Sequence, residues 1–247
     1  MIHMLMNTKS SHQCALVTGG SRRIGKAICI KLAEMGFDVA IHYNRSRKEA
    51  LDLSKELKKK GAHAGIFPCD LNNAEKTKKL IREVKKSFPR LSVLINNASV
   101  FEPDGLKDTT LNQFEKNLHL HVRTPFLLTQ TFANTCKKGQ IINILDTNIV
   151  KHSTKHFSYL LSKKTLLHLT EMSAAALAPL IRVNGIAPGL ILPPEKEETG
   201  YLNRLAKNVP LKRKGALQNI TRTIQFLIDN DYLTGQIIYA DGGEHLL

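Results

Sequence analysis

Tyr159 stands four residues before Lys163 in a stretch of helical periodicity, so the two side chains fall on one face of a helix. An ammonium group so placed can lower the pKa of a phenol and make it a usable acid. The same spacing occurs on plain helix surfaces, so the pair needs other chemistry around it to carry weight. A second feature supplies some. Thr18-Gly19-Gly20-Ser21-Arg22-Arg23-Ile24-Gly25 follows a short apolar run and leads into a helical pattern. Glycines at a strand-to-helix turn let the backbone approach a pyrophosphate, which the free N–H groups and positive dipole end of the helix then hold. A bare glycine turn without a ligand is the alternative.

These residues must be positioned by the elements between them. Short β-branched or apolar runs at Ala15–Thr18, Asp38–His42, Ala64–Pro68, Val93–Asn96, Ile141–Leu145, Arg182–Ile186 and Gln236–Tyr239 predict seven strands. Helical periodicity over Ile24–Met35, Lys48–Lys60, Ala74–Ser87, Leu111–Cys136, Tyr159–Ala178 and Ala216–Asp229 separates them. Buried strands alternating with helices imply an α/β fold, a doubly wound parallel sheet covered on both faces, because a parallel crossover needs a helix to span it. No linker or repeat interrupts the alternation, so residues 14–247 are expected to form one domain behind a loose leader, 1–13. The irregular segment of about 190–214, with Pro193-Pro194 and Glu195-Lys196-Glu197-Glu198, is where an active-site lid is expected.

The 247 residues carry 36 Lys and Arg against 21 Asp and Glu, a net charge of +15 that invites a polyanion. Lys58-Lys59-Lys60, Lys76, Lys78-Lys79, Arg82 and Lys85-Lys86 lie on the polar faces or ends of expected surface helices without interleaved aromatics. A solvated surface therefore explains them better than a nucleic-acid groove. Cys14, Cys29, Cys69 and Cys136 are widely spaced, without C-x-x-C or a metal-ligand cluster, which excludes a zinc site and suits a reducing cytoplasm. No apolar run reaches the roughly 18 residues of a membrane span.

T-G-x(5)-G after the first strand, Asn96-Asn97-Ala98 after the fourth and Tyr159-x-x-x-Lys163 resemble the short-chain dehydrogenase/reductase family. Asp70, Arg182-Val183-Asn184, Pro188-Gly189, Thr234-Gly235-Gln236 and Asp241-Gly242-Gly243 extend the resemblance across nearly the whole chain. It implies a Rossmann-type fold and a nicotinamide cofactor whose ribose Lys163 also holds. An NAD enzyme would place an acid at the end of the second strand to grip the ribose 2′-OH; this chain has His42-Tyr43-Asn44-Arg45-Ser46-Arg47. Arg45, Ser46 and Arg22 are the expected partners of a 2′-phosphate, making the cofactor NADPH. Its remaining contacts are expected from Gly19, Ser21, Arg23, Ile24, Tyr43, Asn44, Asp70, Leu71, Asn97, Ala98, Ser99, Pro188 and Gly189.

Departures from the family pattern narrow the reading. The family's serine, thirteen residues before the tyrosine, is Asp146 here. A hydroxyl suits a neutral ketone, whereas reduction of C=N leaves a nitrogen that must be protonated, and a carboxyl beside the tyrosine suits that chemistry. A loop-capping aspartate is the alternative. Arg23 replaces a glycine, and Asn96-Asn97-Ala98 continues into Ser99-Val100-Phe101. Together these resemble pteridine reductases and bacterial dihydromonapterin/dihydrofolate reductases. A flat polar ring would stack between the nicotinamide and Phe101, with Arg23 and Ser99 bonding its heteroatoms and the cofactor phosphates and Leu190 at the lid. Phe101 as a core or lid aromatic is the alternative. The family's helical asparagine is His121, either a proton-relay group or a satisfied helix histidine; His63, His152, His156 and His168 receive no role.

The expected activity is NADPH-dependent reduction of dihydromonapterin, dihydrobiopterin or dihydrofolate to the tetrahydro form, with Tyr159 as proton donor assisted by Lys163 and Asp146. A ketone reductase such as a 3-oxoacyl carrier-protein reductase is the rival, and a non-catalytic NADPH-sensing protein the second. The resemblance also implies a homotetramer built through the two long helices starting near Leu111 and Ser153, with no nucleic-acid or membrane partner.

Overall fold

The computed structural model describes residues 12–194 and 200–247. The expected leader falls outside it apart from His12 and Gln13, as do residues 195–199 of the expected lid. Seven strands, β1 (Cys14–Val17), β2 (Asp38–Tyr43), β3 (Ala64–Pro68), β4 (Leu91–Asn96), β5 (Gly139–Ile144), β6 (Ile181–Pro188) and β7 (Ile237–Ala240), form one all-parallel sheet in the order β3-β2-β1-β4-β5-β6-β7. The direction of winding reverses between β1 and β4. Loops leaving the carboxyl ends of these two strands diverge to opposite faces and open a crevice, the place where sheets of this kind take ligands.

Helices α1 (Arg23–Glu34), α2 (Arg47–Lys59) and α3 (Ala74–Ser87) fall where the periodicity predicts. Strand side chains alternate between two cores: Ala15 and Val17 pack with Ile28, Leu53 and Ile224 on one face, and Leu16 and Leu94 with Leu128 and Phe132 on the other. The first core receives α1, α2 and α8 (Leu217–Asp229), the second α3 and α5 (Thr124–Cys136).

One expected helix is two. Leu111–Cys136 divides into α4 (Leu111–Leu118) and α5, joined by a π turn at His119–Arg123. Pro125 is the physical cause: it has no N–H to give the carbonyl four residues back, that of His121, so the ladder widens by one residue and Thr124 N–H bonds to His119 O instead. The site histidine therefore sits in the distorted turn. Within 190–214, where an irregular segment is expected, a short helix α7 (Tyr201–Ala206) anchors itself through buried Leu202 and Ala206. α6 (Phe157–Leu177) carries Tyr159 and Lys163.

Candidate active site

The glycine turn is built almost wholly from main chain. Gly19 has φ +61°, and a Cβ on Gly25 would stand 2.1 Å from the Gly19 carbonyl oxygen, so α1 packs against the turn only with glycine there. Thr18 Oγ1 accepts from the backbone N–H groups of Asn97 (2.9 Å) and Ala98 (3.0 Å), and Asn97 Nδ2 donates to the carbonyls of Thr18 (2.9 Å) and Gly19 (3.2 Å). Asn97 thus welds the β4 loop to the turn. His42, which the sequence leaves without a site role, completes the frame. Its Nδ1 accepts from Gly19 N–H and its Nε2–H donates to Cys69 O, both at 3.0 Å. The ring is 2% exposed, and burial pushes its pKa from 6.5 down to about 4, so it is neutral. The sequence signal for it was His42 at the end of a buried strand, beside the cofactor residues rather than among them.

This frame fits a dinucleotide phosphate. α1 begins at Arg23 with no side-chain cap and no acidic residue in its first turn, leaving its leading N–H groups for an anion. Ser21 Oγ lies 2.9 Å from Ser46 Oγ, with Arg22, Asn44 and Arg45 exposed around them and no carboxylate at the β2 end. Ile24 is half-buried, while Tyr43 is turned into the core and offers its backbone only. Asp70 is exposed and closes a turn by accepting from Asn72 N–H, and Leu71 is buried with its carbonyl taken by Thr77 and Thr124. Across the crevice, Pro188 ends β6, and Gly189 passes so close to Asp241 that a Cβ would meet its Cα at 2.7 Å.

The acid–base group forms at the ends of β5 and α6. Tyr159 Oη donates to Asp146 Oδ2 at 2.9 Å, while Asp146 Oδ1 accepts from the backbone N–H (2.8 Å) and Nδ2 (3.0 Å) of Asn148. Asp146 therefore both caps its loop and accepts from the phenol. The effect on the phenol is the reverse of that expected from Lys163. Burial, then the charge and hydrogen bond of Asp146, raise the Tyr159 pKa well above its ordinary value. Lys163 Nζ lies 5.7 Å from the Tyr159 ring centroid and donates to Ile144 O at 2.7 Å. Burial, opposed by Asp146, brings its own pKa down to about 8.

Behind the phenol, His121 is 1% exposed. Its Nε2 lies 2.9 Å from Ser99 Oγ and its Nδ1 2.8 Å from Ser162 Oγ, and burial followed by the Lys163 charge holds its pKa well below the ordinary value. A small cavity lined by Thr18, Asn96, His121 and Lys163 lies beside it.

On the outer wall, Phe101 meets Tyr159 edge-on at 4.9 Å and stacks on His156 at 3.9 Å. One face of Phe101 is therefore already covered by a histidine that the sequence leaves unassigned, while the ring remains 48% exposed. His156 has φ +54° and its Nδ1 is bonded to Glu102 O at 2.9 Å. Asp104 accepts from Ser158 N–H and Oγ, tying this loop to the start of α6. Arg23 does not turn toward Ser99: it has φ +52°, where the family pattern has glycine, and its Nη2 donates to Pro193 O at 2.5 Å. Leu190 is half-buried, its carbonyl taken by Gly215 N–H.

A phosphate-ready turn on one lip and an acid–base pair on the other are the two halves of a Rossmann-type oxidoreductase. The chain belongs to the short-chain dehydrogenase/reductase family, whose model described as "Enoyl-(Acyl carrier protein) reductase" matches residues 19–245. Among solved structures it is similar to FolM alternative dihydrofolate reductase 1 from Brucella suis, a complex with NADP, at 36% identity and a TM-score of 0.91 over 95% of this chain and 96% of that one. Among curated relatives it is similar to a 3-oxoacyl-(acyl-carrier-protein) reductase of Synechocystis sp., 31% identical over 96% of this chain and 98% of the relative. FabG of Staphylococcus epidermidis, a reductase of the same description, is 29% identical over 95% of this chain and all of its own.

Proposed function

We propose that this protein reduces the C=N bond of a pterin, taking 7,8-dihydromonapterin, dihydrobiopterin or dihydrofolate to the tetrahydro form. It is an NADP-dependent oxidoreductase of its family. The residues that would hold NADPH are the Gly19 to Gly25 turn, Ser21, Arg22, Arg45 and Ser46 at the phosphates, Asp70 and Leu71 near the base, and Asn97, Lys163, Pro188 and Gly189 toward the nicotinamide. When bound, NADPH supplies the hydride. Tyr159 supplies the proton to the nitrogen of the reduced bond, Asp146 orients the phenol and relays a replacement proton taken up from solvent, and Lys163 keeps a positive charge at the inner end of the site. Phe101, carried on His156, forms one face of the slot for a flat ring, and Arg23, released from Pro193, Ser99 and Leu190 border it. Residues 190–214 serve as the lid.

The observation that carries this reading is the bond from Tyr159 to Asp146. A ketone reductase needs a neutral donor to the substrate carbonyl at that position, and a carboxylate repels a carbonyl oxygen as it gains charge. Reduction of a 3-oxoacyl thioester is the second reading, favoured by relatives of that description and by the +15 charge, which would suit an acidic carrier protein. NADPH oxidation measured side by side with 7,8-dihydrobiopterin and an acetoacetyl thioester separates them. Turnover of the dihydropterin is expected, and turnover of the thioester alone overturns the assignment.

The expected homotetramer is supported by exposed Phe126 on α5 and Leu161 and Met172 on α6, and a reducing cytoplasm by four buried, unbridged thiols. Among the described residues no helix is long and apolar enough to cross a membrane.

A further inference from the structure

Ser99 stands at the mouth of the crevice, exposed, beside Tyr159 and two residues before Phe101. Which way its single hydroxyl proton points decides what it can bind, and the groups behind it settle the matter. Ser162 Oγ donates to the Tyr159 carbonyl at 2.6 Å, so toward His121 it can only accept. The hydrogen between Ser162 and His121 therefore belongs to His121 Nδ1, at 2.8 Å. A neutral imidazole carries one N–H, so Nε2 is an acceptor. The backbone N–H of Val100 points at the same nitrogen from 3.4 Å, which requires an acceptor there too. Ser99 Oγ, at 2.9 Å, is the better donor to it. Two other acceptors are in reach, Val100 O at 3.3 Å and the phenol oxygen of Tyr159, and either would consume the same proton. By each of these routes the Ser99 proton is spent inside the protein.

We infer that His121 is a positioning residue that turns Ser99 into an obligate acceptor, so that the site selects a substrate bearing a ring or exocyclic N–H beside its reducible bond. A ketone or thioester carbonyl brings no such hydrogen and meets a hydroxyl whose lone pairs face it. Turning the Ser99 proton outward would leave the buried His121 Nε2 with only the long bond from Val100 N–H at 3.4 Å, which opposes ketone binding by about tenfold. For the same reason the Ser99 hydroxyl is a poorer partner for phosphate oxygens than for a substrate N–H. The neutral state of His121 agrees with the low pKa that its burial and the Lys163 charge impose.

The inference rests on the pterin reading, and its test keeps the two apart. The first measurement is the nitrogen resonance of His121 in the 15N-labelled protein, assigned by its loss in His121→Gln. An unprotonated Nε2 and a protonated Nδ1 are expected, and the opposite tautomer overturns the proposal whatever the substrate. The second is kcat/KM for 7,8-dihydrobiopterin relative to an acetoacetyl thioester. His121→Leu should lower this ratio by about tenfold or more, mainly through the pterin KM, and His121→Gln, whose amide oxygen can accept the same proton, should restore most of it. A wild type that reduces the dihydropterin, with an unchanged ratio in His121→Leu, overturns the role of His121. A wild type that ignores the dihydropterin overturns the pterin reading, and the resonance still decides the tautomer. Should His121→Leu not fold, Ser99→Ala supplies the ratio: a loss for the pterin supports the acceptor role, and no loss overturns it.

Discussion

Two buried, neutral histidines frame the crevice, one in each wall, and they hold it by different means. His42 stands between main-chain groups, accepting from Gly19 N–H and donating to Cys69 O. His121 stands between side chains, the hydroxyls of Ser99 and Ser162. A wall fixed to the backbone changes only if strands and turns move; a wall fixed through hydroxyls and a carboxylate can be retuned one residue at a time. The chain follows that division. The cofactor wall keeps the family's glycine turn apart from Arg23, while the substrate wall departs at Asp146 and His121 and carries Ser99 after Asn97-Ala98.

The sharpest break between the walls is Tyr159→Phe. Removing a positioned proton donor costs about 10²- to 10⁴-fold, so kcat for dihydropterin should fall by that much while NADPH affinity, read by cofactor fluorescence, changes little. A parallel loss of affinity would place the phenol in the cofactor wall instead. Asp146→Ser comes next. The serine hydroxyl would leave Tyr159 without its charged partner, and a hydrogen bond to a charged group is worth about 1.5–3 kcal/mol, so kcat/KM for dihydropterin should drop about 10- to 100-fold. An unchanged value would reduce Asp146 to its bonds with Asn148.

What the sequence made legible has the same two-part character. The seven strands, the glycine turn and the Tyr159-Lys163 pair follow from local periodicity and spacing, and they stand where the pattern places them. The break at His119–Arg123 was also written locally, in Pro125, but helical periodicity runs through a single widened turn without showing it. The contacts that shape the substrate wall join distant segments. Asp104 and Ser158 are 54 residues apart, and nothing near Phe101 announces that His156 will cover one of its faces. The direction of the Tyr159 pKa was hidden for a related reason. Spacing shows that Lys163 shares a helix face with the phenol, but not that the ammonium is turned to Ile144 O while Asp146 accepts the phenol's hydrogen bond.

The smallest expected effect tests the backbone-fixed wall alone. His42 has its pKa lowered from 6.5 to about 4 because the folded protein buries it uncharged. As pH falls below 6.5 the unfolded chain takes up a proton that the folded one refuses, so the stability His42 contributes is lost between pH 6.5 and about 4 and does not fall further below that. A fall of that size corresponds to about 3 kcal/mol across the full window. His42→Gln has no proton to take up in either state and loses only a well-fitted pair of hydrogen bonds. It should be less stable than the wild type near neutral pH, and the gap should narrow by about 2–3 kcal/mol as pH falls to about 4.5. Urea titrations of both proteins at the two pH values measure this directly. His121 is unchanged in both proteins and cancels in the difference, so a gap that stays constant with pH would mean that His42 is not held neutral between Gly19 and Cys69, and the contrast between the two walls would fail on the cofactor side.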